Sequence, residues 1–199
     1  MIRPPGETEV PIRSPTLPVR VTAYDAVVYD LDGTLVDLAV DWEAVAVDVL
    51  EVYHDADVEP PSQDLWELLG AADDHGLASR VEATIAAHER DGAETSPRLA
   101  HADELLERSV PVGVCSLNCE AACRIALAEH DLADAVEAVV GRDTVPTRKP
   151  DPEPLLEAIR RLEADPGEAL FVGDSARDRR TADRAGVAFE FVGDGPSGV

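Results

Sequence analysis

Short apolar runs of strand length recur along this 199-residue chain, most of them followed by a segment with helical spacing. Residues 26–31 (AVVYDL), 110–116 (VPVGVCS), 136–140 (VEAVV), 168–173 (EALFVG) and 187–192 (VAFEFV) read as strands. After the second, Cys119, Cys123, Ile125 and Leu127 fall near helical spacing. Before the fourth, DPEPLLEAIRRLEADPG spells out a helix from start to stop. Asp151 can cap it, Pro152 suits the first turn, Leu155, Leu156, Ile159 and Leu162 share a face, and Asp165-Pro166-Gly167 ends it. SARDRRTADRAG gives another helix, closed by Gly186. Strands alternating with helices predict an α/β fold whose parallel sheet is covered on both faces.

One stretch breaks the alternation. Residues 41–54, 62–70 and 77–90 all read as helices with no strand between them, an excursion far longer than an ordinary βα loop. It leaves the chain just after VVYDLDGTLVD, where an apolar strand ends in two carboxylates, Asp30 and Asp32. In open α/β sheets ligands bind at the carboxyl ends of the strands, so helices inserted there are placed to act as a lid. The expected organisation is an extended lead-in over 1–25, a catalytic core over 26–38 and 100–199, and a helical cap over 39–99.

The other strand ends carry chemistry too. The second delivers Ser116, with Asn118 just beyond; the loop before the Pro152 helix delivers Lys149; the fourth delivers Asp174, with Asp178 one helical turn later. Carboxylates, a hydroxyl and one ammonium would therefore meet along one sheet edge. Hard oxygen ligands suit Mg²⁺, and a lysine beside them suits a phosphate. An anionic substrate would be repelled by such a site unless a divalent cation neutralised it. A carboxylate can attack phosphorus, and a second carboxyl two residues away can protonate the leaving oxygen and later take a proton from water. Gly33 lets the backbone approach closely, and Thr34 can orient the nucleophile.

DLDGTLVD, VCSLN, RKPDPEP and VGDSARDRRTADRAG, in this order, resemble the four motifs of the haloacid dehalogenase-like superfamily, especially its phosphoglycolate phosphatase-like branch. The resemblance implies a Rossmann-like, doubly wound parallel sheet with a small helical cap inserted after the first strand. It implies Asp30 as nucleophile, Asp32 as general acid and base, and Ser116 and Lys149 as groups that bind the phosphoryl and balance its charge. Gly33, Thr34 and Asn118 would also border the phosphate, although Leu117 stands where the family often places the asparagine. Mg²⁺ would be held by Asp30, the Asp32 carbonyl and Asp174, with Asp178 ligating directly or through water. Dehalogenases of this superfamily lack the second acid, so Asp32 favours phosphoryl transfer from a small phosphorylated metabolite. The alternatives are a sugar phosphomutase on the same scaffold and, from a different class, a receiver-like signalling domain phosphorylated on aspartate. The receiver places its acidic pair in a separate strand and carries no large helical insertion.

Charge narrows the partners. There are 41 Asp plus Glu against 17 Lys plus Arg, a net −24, so nucleic acid and anionic membranes are repelled. Lys149 is the only lysine. An acid-rich, lysine-poor surface suits molar salt, where the Debye length is about 3 Å, and predicts a halophilic protein. No run is apolar enough to span a membrane, and the N-terminal stretch lacks a signal-peptide core, so the expected compartment is the cytoplasm. Nothing in the sequence sets the oligomeric state. Cys115, Cys119 and Cys123 are read as buried helix-face and strand-end residues. The five histidines, His54, His75, His88, His101 and His130, are read as solvent-facing or structural, and Trp42 and Trp66 as packing for the inserted helices.

Overall fold

The computed structural model describes residues 24–193. All but the last two residues of the expected lead-in therefore lie outside the described residues.

Five parallel strands form one sheet in the order β3-β2-β1-β4-β5: β1 Ala26–Tyr29, β2 Val112–Cys115, β3 Ala138–Val140, β4 Ala169–Gly173 and β5 Ala188–Phe191. The first strand is central, with Val28 opposite Gly113 on one side and Phe171 on the other. Successive strands are added outward from β1 in one direction and then, from β4, in the other. This is the doubly wound arrangement, and its switch point lies between β1 and β4.

Side chains that alternate along β1 feed two cores. Val27 and Tyr29 join Val114, Leu170 and the α5 residues (Glu120–Glu129) Ala122, Cys123 and Leu127. Ala26 and Val28 join Phe171 with Leu155, Ala158 and Ile159 of α6 (Glu153–Arg161) and Ala182 of α7 (Ala176–Ala185). Both faces are covered, which explains why these strands are apolar throughout. Pro152, not Asp151, stands at the cap position of α6, one residue later than the sequence suggested, and the Asp151 carboxylate accepts from the Glu153 backbone N–H at 3.0 Å from just outside the helix. The three cysteines are buried and unpaired, Cys119 standing just before α5 rather than within it.

Between β1 and β2 lie α1 (Trp42–Asp55), α2 (Leu65–Ala71), α3 (Ala78–Ala93) and the short α4 (His101–Leu106). Asp41 and Asp64 cap α1 and α2, each carboxylate taking two N–H groups of the first turn. The α1, α2 and α3 helices enclose their own apolar cluster, including Val45, Val49, Leu68, Val81 and Ile85. The two ends of this excursion are tied: Asp37 N–H donates to Pro97 O, and Leu99 N–H to Leu35 O, both at 2.9 Å. The α3 helix also packs on α5, fastening the insertion to the sheet layer.

Candidate active site

Asp30 follows β1 directly, its N–H donating to Val172 O at 2.8 Å across the switch point. The chain then turns tightly, with Leu35 and Val36 N–H both reaching back to Leu31 O and Gly33 N–H donating to Val36 O. Gly33 has φ +78°, and a Cβ there would lie 2.4 Å from an Asp174 carboxylate oxygen. Glycine thus lets the β1 and β4 loops close on each other.

Lys149 is buried at the junction. Its three N–H donors go to Asp30 Oδ1 (2.9 Å), Asp178 Oδ1 (2.5 Å) and the Cys115 carbonyl (3.2 Å). Asp178 is also the third residue of α7, where it forms a reciprocal cap with Ser175, whose hydroxyl and N–H both donate to Oδ2. Ammonium and cap together outweigh burial and hold the Asp178 carboxyl below its ordinary range. Asp30 goes the other way. Burial, aided by the neighbouring Asp178 charge, pushes it up to about 7 despite Lys149. One ammonium shared between two buried carboxylates is insufficient for both.

Asp174, half-buried at the end of β4, is likewise pushed up by burial and by Asp178. Carboxylate oxygens of Asp30, Asp174 and Asp178 all lie within 4.8 Å of one another. This all-oxygen donor set, short of positive charge, fits a hard divalent cation. Asp32 stands apart from that cluster. Its Oδ1 accepts from the Leu38 N–H at 2.7 Å, and burial raises its carboxyl to about 6.

These groups open into a cavity of about 710 Å³ between the sheet edge and the inserted helices. Asp30, Asp32, Lys149, Asp174 and Asp178 line its floor, and Trp42 and Trp66 line the side formed by α1 and α2. Both tryptophans also border the apolar cluster of the insertion, so packing was only half of their placement. The Arg177 guanidinium lies 5.2 Å from the centre of the Trp66 ring and makes no ion pair among the described residues. None of the five histidines lines this cavity.

Three expected members, Ser116, Gly33 and Thr34, sit differently. Ser116 is buried, its hydroxyl donating to Asn118 Oδ1 at 2.9 Å, and the cavity wall there is Leu117 and Asn118. Thr34 and Gly33 border a separate hollow of about 260 Å³ with Leu99 and His101, and Thr34 Oγ1 has no hydrogen-bond partner among the described residues. Sequence reasoning missed Arg177, although its place inside the α7 motif, one residue before Asp178, was a usable signal. It also missed Glu89 and Arg142, a buried ion pair behind Asn118.

The family model of haloacid dehalogenase-like hydrolases matches residues 27–192, a span that runs from β1 through the last strand. The chain belongs to this family. Among relatives of this haloacid dehalogenase-like hydrolase, phosphoglycolate phosphatase of Rhodospirillum rubrum is 35% identical over 184 residues, covering 81% of this chain and 76% of the relative. Phosphoglycolate phosphatase of Nitrosospira multiformis is 32% identical, covering 81% and 79%. A solved structure of a subfamily IA hydrolase of the superfamily from Geobacter sulfurreducens superposes with a TM-score of 0.57 at 28% identity, covering 84% of this chain and 88% of that one. CbbY from Rhodobacter sphaeroides, solved with phosphate, shares the fold at a TM-score of 0.59 and 19% identity, covering 87% of each chain.

Proposed function

We propose that this hydrolase is a Mg²⁺-dependent phosphatase that cleaves a small phosphomonoester, 2-phosphoglycolate or a close analogue, through an aspartyl phosphate on Asp30. The observation that carries the reading is the gathering of Asp30, Asp174, Asp178 and Lys149 at the switch point, open to a cavity that Asp32 also lines.

In this mechanism an Asp30 carboxylate oxygen attacks phosphorus as the bond from phosphorus to the ester oxygen breaks. Asp32 gives its proton to the departing alkoxide and so becomes a carboxylate. It then removes a proton from water, whose oxygen attacks the phosphorus of the aspartyl phosphate and restores Asp30. Raised by burial, Asp32 is suited to holding a proton for the first half and accepting one in the second. The Leu38 N–H fixes one of its oxygens through both steps. Lys149 keeps Asp30 oriented and offsets the incoming phosphoryl charge. Mg²⁺ held by Asp30, the Asp32 carbonyl and Asp174 would supply the positive charge that the Asp30, Asp174 and Asp178 carboxylates and a phosphate dianion require, with Asp178 ligating directly or through water.

The far wall suits a small acid. Arg177, stacked on Trp66 and without a carboxylate partner among the described residues, offers a cation to a second anionic group such as the glycolate carboxylate. The inserted helices, residues 39–99, are then the cap that shields the reaction from bulk water. Among the described residues no helix is long and apolar enough to cross a membrane.

The test is a phosphate-release screen over small phosphomonoesters in molar KCl, with Mg²⁺ and after chelation. Metal-dependent release, highest for esters bearing a carboxylate, is expected. No release from any ester, or transfer of phosphate within a sugar without release, overturns the reading.

A further inference from the structure

Glu89 lies on α3, on the inserted helices, and has 0% of its surface exposed. Arg142 follows β3 in a loop 53 residues later and is 6% exposed. A charge buried this deeply persists only when every polar atom is answered. Here each is. The guanidinium has five N–H donors, and all five are used. Two go to Glu89, at 2.5 and 3.0 Å, two to Glu82, two turns earlier on the same face of α3, at 2.7 and 3.1 Å, and one to the Leu117 carbonyl, at 2.7 Å.

The Glu89 carboxylate accepts two further bonds besides those from Arg142. They come from the Asn118 side-chain amide at 3.3 Å and the Cys119 backbone N–H at 2.9 Å. The Arg142 N–H adds a bond to the Asn118 carbonyl at 2.9 Å. Leu117, Asn118 and Cys119 are thus each gripped by this pair. Asn118 in turn receives the Ser116 hydroxyl, and Leu117 and Asn118 form one wall of the cavity.

We propose that Glu89 and Arg142 are positioning residues that set the Ser116–Asn118 loop for the phosphoryl group and bolt α3 to it. The proposal rests on the phosphatase reading above. Neither residue touches the cavity or the Asp30, Asp174 and Asp178 cluster, so the pair acts through Asn118. Two consequences follow from the bonding. The phosphate-facing loop has its geometry dictated by a helix of the insertion, not by the sheet alone. Any opening of the inserted helices must leave the Glu89 end of α3 in place, because moving it would strand two buried charges, Glu89 and Arg142.

The experiment compares the unaltered protein with Glu89→Gln and Arg142→Lys, using p-nitrophenyl phosphate as substrate. The quantities measured are kcat, KM, the inhibition constant of inorganic phosphate and the Mg²⁺ concentration for half-maximal rate. Gln keeps the shape of Glu89 but places an amide N–H against donors, and Lys keeps the charge of Arg142 but has three donors in place of five. For Glu89→Gln, kcat should fall roughly tenfold to a hundredfold and inhibition by phosphate should weaken by about tenfold, the scale of a lost charge-assisted hydrogen bond. The Mg²⁺ requirement should stay within twofold. Arg142→Lys should lie between Glu89→Gln and the unaltered protein in both kcat and phosphate inhibition.

A folded Glu89→Gln with unchanged kcat and phosphate inhibition overturns the proposal. So does a parallel loss of Mg²⁺ affinity, which would mark general loosening of the site. Should Glu89→Gln fail to fold, Arg142→Lys decides by the same readings. Failure of the phosphatase reading itself is seen separately, as absence of phosphate release by the unaltered protein.

Discussion

A Cβ on Gly33 would stand 2.4 Å from Asp174 Oδ2 and 2.8 Å from its Cγ, so a missing side chain at one strand end makes room for a carboxylate at the next. Gly33→Ala should force the Asp174 carboxylate away and strain a backbone at φ +78°, at a cost of about 1–3 kcal/mol. The expected result is at least tenfold weaker Mg²⁺ activation and a large fall in kcat. Gly76 is the control. It has φ +68° but open space around its Cβ, so Gly76→Ala should lower the melting temperature while leaving Mg²⁺ activation unchanged. Equal Mg²⁺ responses in the two variants would refute the close-approach argument.

Asp30→Asn removes the nucleophilic charge while keeping the shape, and turnover should vanish. Asp32→Asn should slow turnover by about 10²–10⁴-fold, the range for a lost general acid and base. With a leaving group that needs no proton, attack should suffer less than hydrolysis in Asp32→Asn, and phosphoenzyme should accumulate. Mass spectrometry of the acid-quenched variant should then find phosphate on Asp30. Phosphate on another residue, or an active Asp30→Asn, defeats this mechanism.

Arg177→Gln should discriminate between substrates. With 2-phosphoglycolate, KM should rise roughly tenfold or more, since a charge-assisted hydrogen bond is worth about 1.5–3 kcal/mol. With p-nitrophenyl phosphate, which carries no second anion, KM should hardly move. Steady-state kinetics on both esters decide the matter, and an equal change in the two would remove Arg177 from substrate recognition.

The net charge of −24 leaves the fold working against its own surface in dilute buffer. Molar KCl should screen that repulsion and raise the melting temperature. Each kcal/mol relieved shifts a chain of this size by about 2–4 °C, so a rise of several degrees is expected. A midpoint that stays flat or falls with salt would count against adaptation to high salt.

Much of this architecture was legible in the sequence because it rests on local patterns. Val27 to Tyr29 and Leu170 to Val172 are apolar in unbroken runs because the sheet is covered on both faces, and their carboxyl ends carried the acids that meet at the switch point. The α4 helix left no comparable trace, being only six residues long with two buried. Trp42 and Trp66 fit the spacing of packing residues, and they do pack. Their second exposure, to the cavity, depends on how α1 and α2 lean over the sheet edge, which no periodicity encodes. Glu89 and Arg142 were hidden for a related reason. Each looks like an ordinary solvated charge in its own segment, and only the tertiary approach of α3 to the loop after β3 makes them a pair. Ser116 was placed correctly at a strand end, but its hydroxyl direction is set by Asn118 two residues on, a choice below the reach of pattern.

Lys149 is the only lysine in the chain, and it is 4% exposed. The protein therefore presents no lysine amine on its outer surface to acylating reagents, and its only side-chain amine sits where the phosphoryl group would be received. A lysine-directed label thus becomes a gauge of access to the site. Its rate of incorporation should track how often Asp30 and Asp178 release the ammonium, and occupancy of the cavity should slow it.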